Sequence, residues 1–240
     1  MRIAFLTGAG MSAESGVPTF RDALTGLWAR FDPAGLATPE AFRRDPALCW
    51  GWYRWRAALV RRARPNAGHL AIAGLAGRGH EVTVVTQNVD DLHERAGSRD
   101  VVHLHGSLFA TRCFDCGRPA VPDPILEGLD AIGGEGAREA PPACVACGGP
   151  CRPGVVWFGE PLPADAWERA CEALAACELL VVVGTSGLVQ PAASLPRLAR
   201  EAGARVVEIN PVESAVSALA HESLRMGAGE GMRVLAERLG

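Results

Sequence analysis

Four short apolar segments constrain the fold of this chain more than any other feature. They lie at residues 2–6 (RIAFL), 81–86 (EVTVVT), 178–184 (ELLVVVG) and 204–209 (ARVVEI). Each is rich in valine, isoleucine or leucine with little polar alternation, which is typical of parallel strands buried on both faces. The intervening patterns predict helices at about 39–62, 65–77, 163–176, 190–202 and 223–239. This order of elements predicts an α/β fold built on a doubly wound parallel sheet.

Two segments interrupt the alternation. Residues 111–153 are rich in cysteine, glycine and proline, so they can add little to a core and need another source of stability. Residues 20–62 are rich in aromatic side chains and predict a helical lobe. We therefore expect one structural unit over residues 1–240. Its large α/β part would span about 1–20, 63–110 and 155–240, with the lobe at about 21–62 and a small inserted module at about 111–154.

Paired cysteines account for the stability of the inserted module. Cys113 and Cys116 form one Cys-x-x-Cys pair, and Cys144 and Cys147 form a second after a 27-residue gap. Four thiolates in two close pairs predict a closed tetrahedral zinc site, which is structural because it leaves no open position for chemistry. The alternatives are four free thiols, or Cys151 as a rival fourth ligand.

Composition removes several classes of function. The net charge of −3 gives no positive field for nucleic acid or an anionic membrane, and all 24 basic residues are arginine. A chain without lysine has no Schiff-base lysine and no phosphate-binding Gly-Lys-Ser/Thr loop. The apolar runs are too short to span a bilayer, and the N-terminus predicts a strand and not a signal peptide. A cytoplasmic protein without a disulfide framework is therefore expected.

The first strand runs into the glycine-rich turn TGAGMSAESG, in which Gly8, Gly10 and Ala13 fit the pattern G-x-G-x-x-A. Such a turn lets a dinucleotide pyrophosphate approach the backbone and the start of the next helix, although glycines here can also serve packing alone. No acidic strand end follows about 20 residues later, as a hydride-transfer fold requires. Polar groups at later strand ends, Gly184 to Ser186 and Glu208 to Asn210, still favour a nucleotide.

Six blocks in one order carry a resemblance over nearly the whole chain. They are TGAGMSAESGVPTFRD, TQNVDDLHERAG, HLHGSLFATRCFDC, CVACGGPCRPGVVWFGE, VVVGTS and EIN. Together they resemble the sirtuins, which are NAD-dependent protein acyl-lysine deacylases. The resemblance implies a Rossmann-like large domain and a small domain that carries structural zinc.

The resemblance also assigns roles. His105 matches the catalytic histidine, Asn88 and Asp90 match the residues that hold the nicotinamide carboxamide, and Gln87 lies near the ribose. His93 is interpreted as an ordinary helix residue. The remaining cofactor-binding residues implied are Gly8, Ala9, Gly10, Ser12, Ala13, Glu14, Thr19, Phe20, Arg21, Trp28, Gly184, Thr185, Ser186 and Asn210. Val156, Phe158 and Gly159 match the strand that pairs with the substrate backbone.

The implied reaction begins when the acyl oxygen attacks C1′ of the nicotinamide ribose and nicotinamide departs. His105 then acts as a general base on the ribose hydroxyls, which suits an imidazole whose ordinary pKa is about 6.5. The products would be free lysine, nicotinamide and 2′-O-acyl-ADP-ribose. An NAD-dependent protein ADP-ribosyltransferase is the alternative, and a zinc module that binds nucleic acid is a second.

Tyr53 and Arg56 bear on which acyl group is removed. They are three residues apart, a spacing that places them on one face of a helix, and Tyr53 is the only tyrosine in the chain. An arginine can hold a carboxylate through two parallel N–H bonds, and a phenol can add a third. The motif resembles the signature of the sirtuin class that removes acidic acyl groups, which implies a pocket that prefers succinyl- or malonyl-lysine over acetyl-lysine. Acetyl is the other acyl group expected. The alternative is that Tyr53 packs and Arg56 is one charge on a basic helix.

The expected partners are proteins or peptides that carry acyl-lysine, with no nucleic acid and no membrane. A monomer is expected.

Overall fold

The protein is described by a computed structural model over residues 1–18, 33–132 and 138–240. The strands are β1 (Arg2–Thr7), β2 (Glu81–Thr86), β3 (Val101–His103), β4 (Gly106–Cys113), β5 (Cys151–Val155), β6 (Leu179–Val183), β7 (Arg205–Ile209) and β8 (Glu222–Leu224). The helices are α1 (Gly10–Ala13), α2 (Pro33–Leu36), α3 (Pro39–Arg44), α4 (Pro46–Arg62), α5 (Ala67–Ala76), α6 (Leu92–Arg95), α7 (Ala164–Ala176), α8 (Leu195–Glu201) and α9 (Ala228–Arg238). Short 3₁₀ turns lie at Pro124–Leu126, Leu129–Ala131 and Ala192–Ser194.

The described residues fall into two compact units. The sheet unit draws on Met1–Thr19, Arg64–Leu104 and Leu162–Gly240, and the hairpin unit draws on Phe20–Ala63 and His105–Pro161. Within the described residues, no helix combines the length and the apolar character needed to cross a bilayer.

The sheet unit contains a six-stranded sheet in the order β3-β2-β1-β6-β7-β8, in which every pairing is parallel. Alternate residues of the strands enter two separate cores. Phe5 and Val181 lie in the core that includes residues of α5 and α9, whereas Leu6 and Val182 lie in the core that includes residues of α7 and α8. Burial on both faces explains why these strands read as continuous apolar runs, and it confirms the predicted α/β class.

The prediction of a single helix over 39–62 is wrong, because the helix is interrupted at Asp45. This residue has φ −150° and ψ 77°, and its carboxylate accepts the Leu48 amide at 3.1 Å as the N-cap of α4. Pro46 follows, and proline both lacks an N–H and disfavours a helical residue before it. Two helices therefore form where periodicity alone predicts one.

The predicted C-terminal helix over 223–239 is also partly wrong. Glu222–Leu224 pairs with β7 as an edge strand, and α9 begins only at Ala228. The segment 190–202 similarly divides into a 3₁₀ turn and the shorter α8. Three residues of strand are too few for a periodicity signal, and pairing with β7 decides their conformation.

The hairpin unit combines helices with a small antiparallel sheet. Strands β4 and β5 pair with Cys113 opposite Cys151, and β5 ends at Val155. The strand expected from the resemblance at 154–160 is therefore displaced toward the N-terminus, and residues 156–160 continue as loop and turn. Helix α4 buries Trp50, Trp52 and Tyr53.

Candidate functional site

The turn after β1 lies so close to the turn after β6 that side chains larger than glycine do not fit. A Cβ added to Gly8 or Gly10 would lie 2.8 Å from backbone atoms of Gly184. The amide of Gly8 donates to the Val183 carbonyl at 3.0 Å, and that of Gly10 donates to the Gly184 carbonyl at 2.9 Å. The glycines thus serve a crossing of two backbone turns at the carboxyl end of the sheet, where open α/β sheets bind ligands.

Beside this crossing, Asn88, Ser12 and Asp90 form a buried hydrogen-bonded cluster. The Asn88 amide nitrogen donates to the Gly8 carbonyl at 3.1 Å and to Ser12 Oγ at 3.2 Å, and Ser12 Oγ donates to Asp90 Oδ2 at 2.9 Å. Burial raises the pKa of Asp90, against the lowering effect of the Ser12 hydroxyl and the Leu92 amide. Three residues that the sequence assigned to cofactor binding therefore meet in one cluster.

A second group of predicted residues meets at Thr185. Gln87 Nε2 donates to Thr185 Oγ1 at 3.0 Å, and Asn210 Nδ2 donates to the Thr185 carbonyl at 2.9 Å. The following residue, Ser186, accepts the Ala215 amide through its carbonyl at 3.2 Å. Residues from the ends of β2, β6 and β7 are thereby joined along one edge of the sheet.

Glu14 has a different place. Its carboxylate accepts the amide of Gly229 at 3.0 Å, in the first turn of α9. The N-cap of that helix is Gly227, which has no side chain to cap with. Glu14 therefore supplies a carboxylate at the positive end of a helix.

The other predicted cofactor residues divide between the turn and an undescribed segment. Ala9 precedes α1 as its N-cap residue, and Ala13 ends it. Four predictions lie outside the described residues: Thr19, Phe20, Arg21 and Trp28.

A buried polar layer beneath the Asn88 cluster was not predicted. Thr7 and Thr86 end neighbouring strands in register, and their hydroxyls are 2.8 Å apart. Thr86 Oγ1 also accepts the Asn88 backbone amide at 3.0 Å, and Thr7 Oγ1 lies 3.1 Å from His93 Nε2. His93 is therefore tied to the cluster, although it was interpreted as an ordinary helix residue. The signal was a threonine at the end of each of two apolar runs.

The ring of His93 also contacts that of His69. Their ring centroids are 4.8 Å apart, and both side chains are almost fully buried. Burial lowers the pKa of His69 to about 4 and, together with neighbouring histidines, lowers that of His93 to about 3. Both rings are therefore neutral at pH 7.

His103, given no role by the sequence, contacts the same region. Its Nδ1 lies 3.2 Å from the Asn88 carbonyl oxygen, and its Nε2 lies 2.6 Å from Glu94 Oε1. Burial acts to lower the pKa of His103, but the hydrogen bond and charge of Glu94 outweigh burial, and the pKa is raised.

In the hairpin unit, the backbone holds His105 in place. Its carbonyl accepts the Val156 amide at 2.8 Å. Gly106 follows with a φ of +72°, and a Cβ there would lie 2.2 Å from the Gly154 carbonyl oxygen. His105 is half-buried and directly precedes this glycine.

Tyr53 and Arg56 lie one turn apart on α4. The Tyr53 hydroxyl accepts the Trp157 indole N–H at 2.9 Å, and the ring is buried. Arg56 Cζ lies 5.3 Å from the ring centroid of Trp52. Burial raises the pKa of Tyr53, whereas the charge of Arg56 acts to lower it, so the phenol is neutral.

The segment assigned to substrate pairing uses its own amides. The amides of Val156, Trp157 and Phe158 donate to the His105 carbonyl, to Glu160 Oε2 and to the Ala37 carbonyl. Gly159 follows with a φ of +84°. The Trp157 carbonyl in turn accepts the Glu160 amide at 3.0 Å, so much of the main chain of this segment is already hydrogen-bonded within the hairpin unit.

The four paired cysteines come together as expected. Four sulfur atoms all lie within 4.8 Å of one another, those of Cys113, Cys116, Cys144 and Cys147. This spacing fits a tetrahedral zinc ion with bonds of about 2.3 Å. Cys151 is buried on β5 and does not belong to this cluster. The donor set of four sulfurs suits zinc as a structural ion.

Comparison with known proteins gives consistent matches. A family model described as SIR2, Sir2 family, matches residues 8–191. The "NAD-dependent protein deacylase 1" of Pseudomonas aeruginosa is 61% identical over 213 residues, which cover 88% of this chain and 83% of the relative. The "NAD-dependent protein deacylase" of Mycobacterium tuberculosis is 51% identical over 100% of this chain and 98% of its own length.

Solved structures agree with these matches. A crystal structure of a Sir2 homolog–NAD complex has a TM-score of 0.88 and 46% identity, and the match covers 99% of this chain and 88% of that one. The chain belongs to the Sir2 family.

Proposed function

We propose that this chain is an NAD-dependent protein-lysine deacylase that removes acidic acyl groups, succinyl or malonyl, as well as acetyl. Membership of the Sir2 family supports NAD-dependent deacylation, and many relatives carry the name deacylase. The observation that supports an acidic acyl group is the pair Tyr53 and Arg56 on one face of α4.

The sheet unit supplies the groups proposed to bind NAD. The glycine crossing lies at the carboxyl end of the sheet, and Asn88, Asp90 and Gln87 present amide and carboxyl groups beside it. Each of these side chains is held by at least one hydrogen bond to a fixed neighbour. Such fixed donors and acceptors suit recognition of a carboxamide and ribose hydroxyls, because little entropy is lost on binding.

We assign His105 the role of general base on the ribose hydroxyls. The products are then free lysine, nicotinamide and 2′-O-acyl-ADP-ribose. His105→Ala is expected to abolish turnover of acyl-lysine peptide. The variant should still show an NAD-dependent rise in its unfolding temperature, because binding to the folded state stabilises it by mass action. Turnover retained at the wild-type rate would contradict this role.

In the acyl pocket, Arg56 supplies a positive charge and Tyr53 a neutral phenol, and both can donate to a carboxylate. Arg56→Met is expected to lower kcat/KM for a succinyl-lysine peptide on the order of a hundredfold, since a hydrogen-bonded charge pair is lost. The acetyl-lysine peptide lacks that carboxylate, so its kcat/KM should change little.

A matched control lies on the same helix. Arg61 is exposed, and Arg61→Met should leave both substrates unaffected. Equal losses on succinyl and acetyl peptides in Arg56→Met would refute the acidic acyl pocket. Mass spectrometry of the products distinguishes O-acyl-ADP-ribose from an ADP-ribosylated protein, and the latter would indicate a transferase instead.

We further propose that the chain acts as a monomer in the cytoplasm on acyl-lysine proteins and does not bind nucleic acid. None of the eight cysteines forms a disulfide, which is typical of a reducing compartment, and the net charge of −3 disfavours nucleic acid. Light scattering on the purified protein tests the oligomeric state.

A further inference from the structure

Trp157 contacts Tyr53, one of the two proposed acyl-selectivity residues, and the sequence assigns no role to its side chain. Its side chain is almost fully buried, and its ring centroid lies 6.3 Å from that of Tyr53. The indole nitrogen is a donor only, so in this contact the Tyr53 oxygen must accept. A phenol that accepts from Trp157 directs its own proton away from the indole.

The orientation of the indole is fixed from its other side. The Arg152 guanidinium carbon lies 3.3 Å from the Trp157 ring centroid. Arg152 is held in turn by two hydrogen bonds to the Glu160 carboxylate, which also accepts the Trp157 backbone amide at 2.8 Å. Glu160, Arg152 and Trp157 therefore form a rigid series of contacts that ends on the Tyr53 oxygen.

We infer that Trp157 is a positioning residue for acyl selectivity, because its N–H occupies one acceptor site of the Tyr53 oxygen and so leaves the phenol O–H oriented to donate to the carboxylate of an acidic acyl group. Accepting one hydrogen bond also polarises the phenol and strengthens it as a donor. This inference rests on the proposed acidic acyl pocket. Acetyl-lysine, which has no terminal carboxylate, should not respond to the loss of the indole N–H.

The test replaces Trp157 with phenylalanine and measures kcat and KM on succinyl-lysine and acetyl-lysine versions of one peptide. We expect KM for the succinyl peptide to rise about five- to tenfold with kcat unchanged, since one neutral hydrogen bond is lost. The kcat and KM for the acetyl peptide should stay within about twofold, because the acetyl group has no carboxylate to which Tyr53 could donate.

Trp52→Phe is the matched control. Trp52 is also fully buried and packs edge-on against Tyr53 at 4.6 Å, but its indole nitrogen has no hydrogen-bond partner among the described residues. The control removes the same atoms without removing a hydrogen bond to Tyr53, and phenylalanine keeps an aromatic face for the Arg56 guanidinium, so the succinyl-to-acetyl ratio should be preserved. Equal changes in both tryptophan variants would overturn the inference, because lost bulk would explain them.

A double-mutant cycle isolates the path through Tyr53. In a Tyr53→Phe background, Trp157→Phe should change the succinyl-to-acetyl ratio by less than about twofold, since no acceptor remains. The same five- to tenfold effect in both backgrounds would overturn the inference.

A second replacement guards against misfolding of Trp157→Phe. Benzothienylalanine at position 157 keeps the two-ring shape and replaces the N–H by sulfur. It should reproduce the KM effect on the succinyl peptide, and a wild-type KM would overturn the inference.

These outcomes distinguish the absence of an acidic acyl pocket from the absence of a role for Trp157. A wild-type enzyme whose Arg56→Met variant loses succinyl and acetyl activity equally has no acidic acyl pocket, and both proposals fail. Selective loss in Arg56→Met with an unchanged ratio in Trp157→Phe overturns the role of Trp157 alone.

Discussion

At the scale of single residues, two constraints require glycine at position 184: the backbone conformation and the space available for a side chain. Its φ of +62° lies in the left-handed region, and a Cβ would lie 2.5 Å from backbone atoms of both Gly10 and Met11. The left-handed conformation disfavours any L-residue by about 1–2 kcal/mol. The lack of space is caused by the backbone of the turn after β1, which cannot move aside as a flexible side chain would.

Gly128→Ala separates these constraints, because Gly128 has the same φ of +62° but nothing within 4 Å of an added Cβ. We expect Gly184→Ala to lower the free energy of unfolding by about 1–3 kcal/mol more than Gly128→Ala, the usual cost of overpacking. Denaturant unfolding measures both. Equal costs would mean that the glycine crossing tolerates displacement.

At the scale of elements, the cysteine cluster lies at one end of the β4–β5 hairpin. Ligand thiolates at Cys113 and Cys116 lie at and beyond the end of β4, and Cys144 and Cys147 precede β5. A metal at this point ties the two strands together, so its binding free energy becomes folding free energy for the hairpin.

The predicted zinc content is about one ion per chain, as four sulfur ligands complete a tetrahedral site. Cys144→Ser should lose the metal and destabilise the protein, whereas Cys151→Ser should retain it. Elemental analysis by mass spectrometry measures both variants. Loss of zinc from Cys151→Ser with retention in Cys144→Ser would make Cys151 the ligand in place of Cys144.

At the scale of the whole molecule, the buried histidines couple stability to pH. His69 and His93 have native pKa values of about 4 and about 3, below the ordinary value of 6.5. Between these values the unfolded chain binds more protons than the native chain, so stability rises with pH. Their contribution is fully present above pH 6.5 and is lost as the pH falls toward 4.

His103 acts in the opposite sense, because its pKa is raised. Its contribution is present below the ordinary pKa and is lost as the pH rises through the native value.

The expected result is a fall in the free energy of unfolding between pH 6.5 and 5, with a slope of at most about 1.4 kcal/mol per pH unit for each buried histidine. His69→Gln and His93→Gln should each reduce this slope, because they remove a titrating group. Denaturant unfolding at a series of pH values measures it. An unchanged slope in both variants would contradict the assignment.

The sequence by itself determined the class of fold, the four long strands of the sheet, the glycine turn and the two cysteine pairs, and the structure showed that Cys151 lies outside their cluster. These features can be predicted from short segments, because apolar runs, glycine spacing and Cys-x-x-Cys pairs do not depend on contacts between distant parts of the chain. The order of six motifs also indicated the family, which the comparisons confirm.

The tertiary structure decided the contacts between residues far apart in the chain. Trp157 meets Tyr53 across 104 positions, and His93 meets Thr7 across 86, and no local periodicity predicts either pair. It likewise placed Glu14 at the start of α9 and made an edge strand of Glu222–Leu224. The physical reason is that burial and hydrogen-bond satisfaction are properties of the packed chain, whereas propensity and spacing are properties of a short segment.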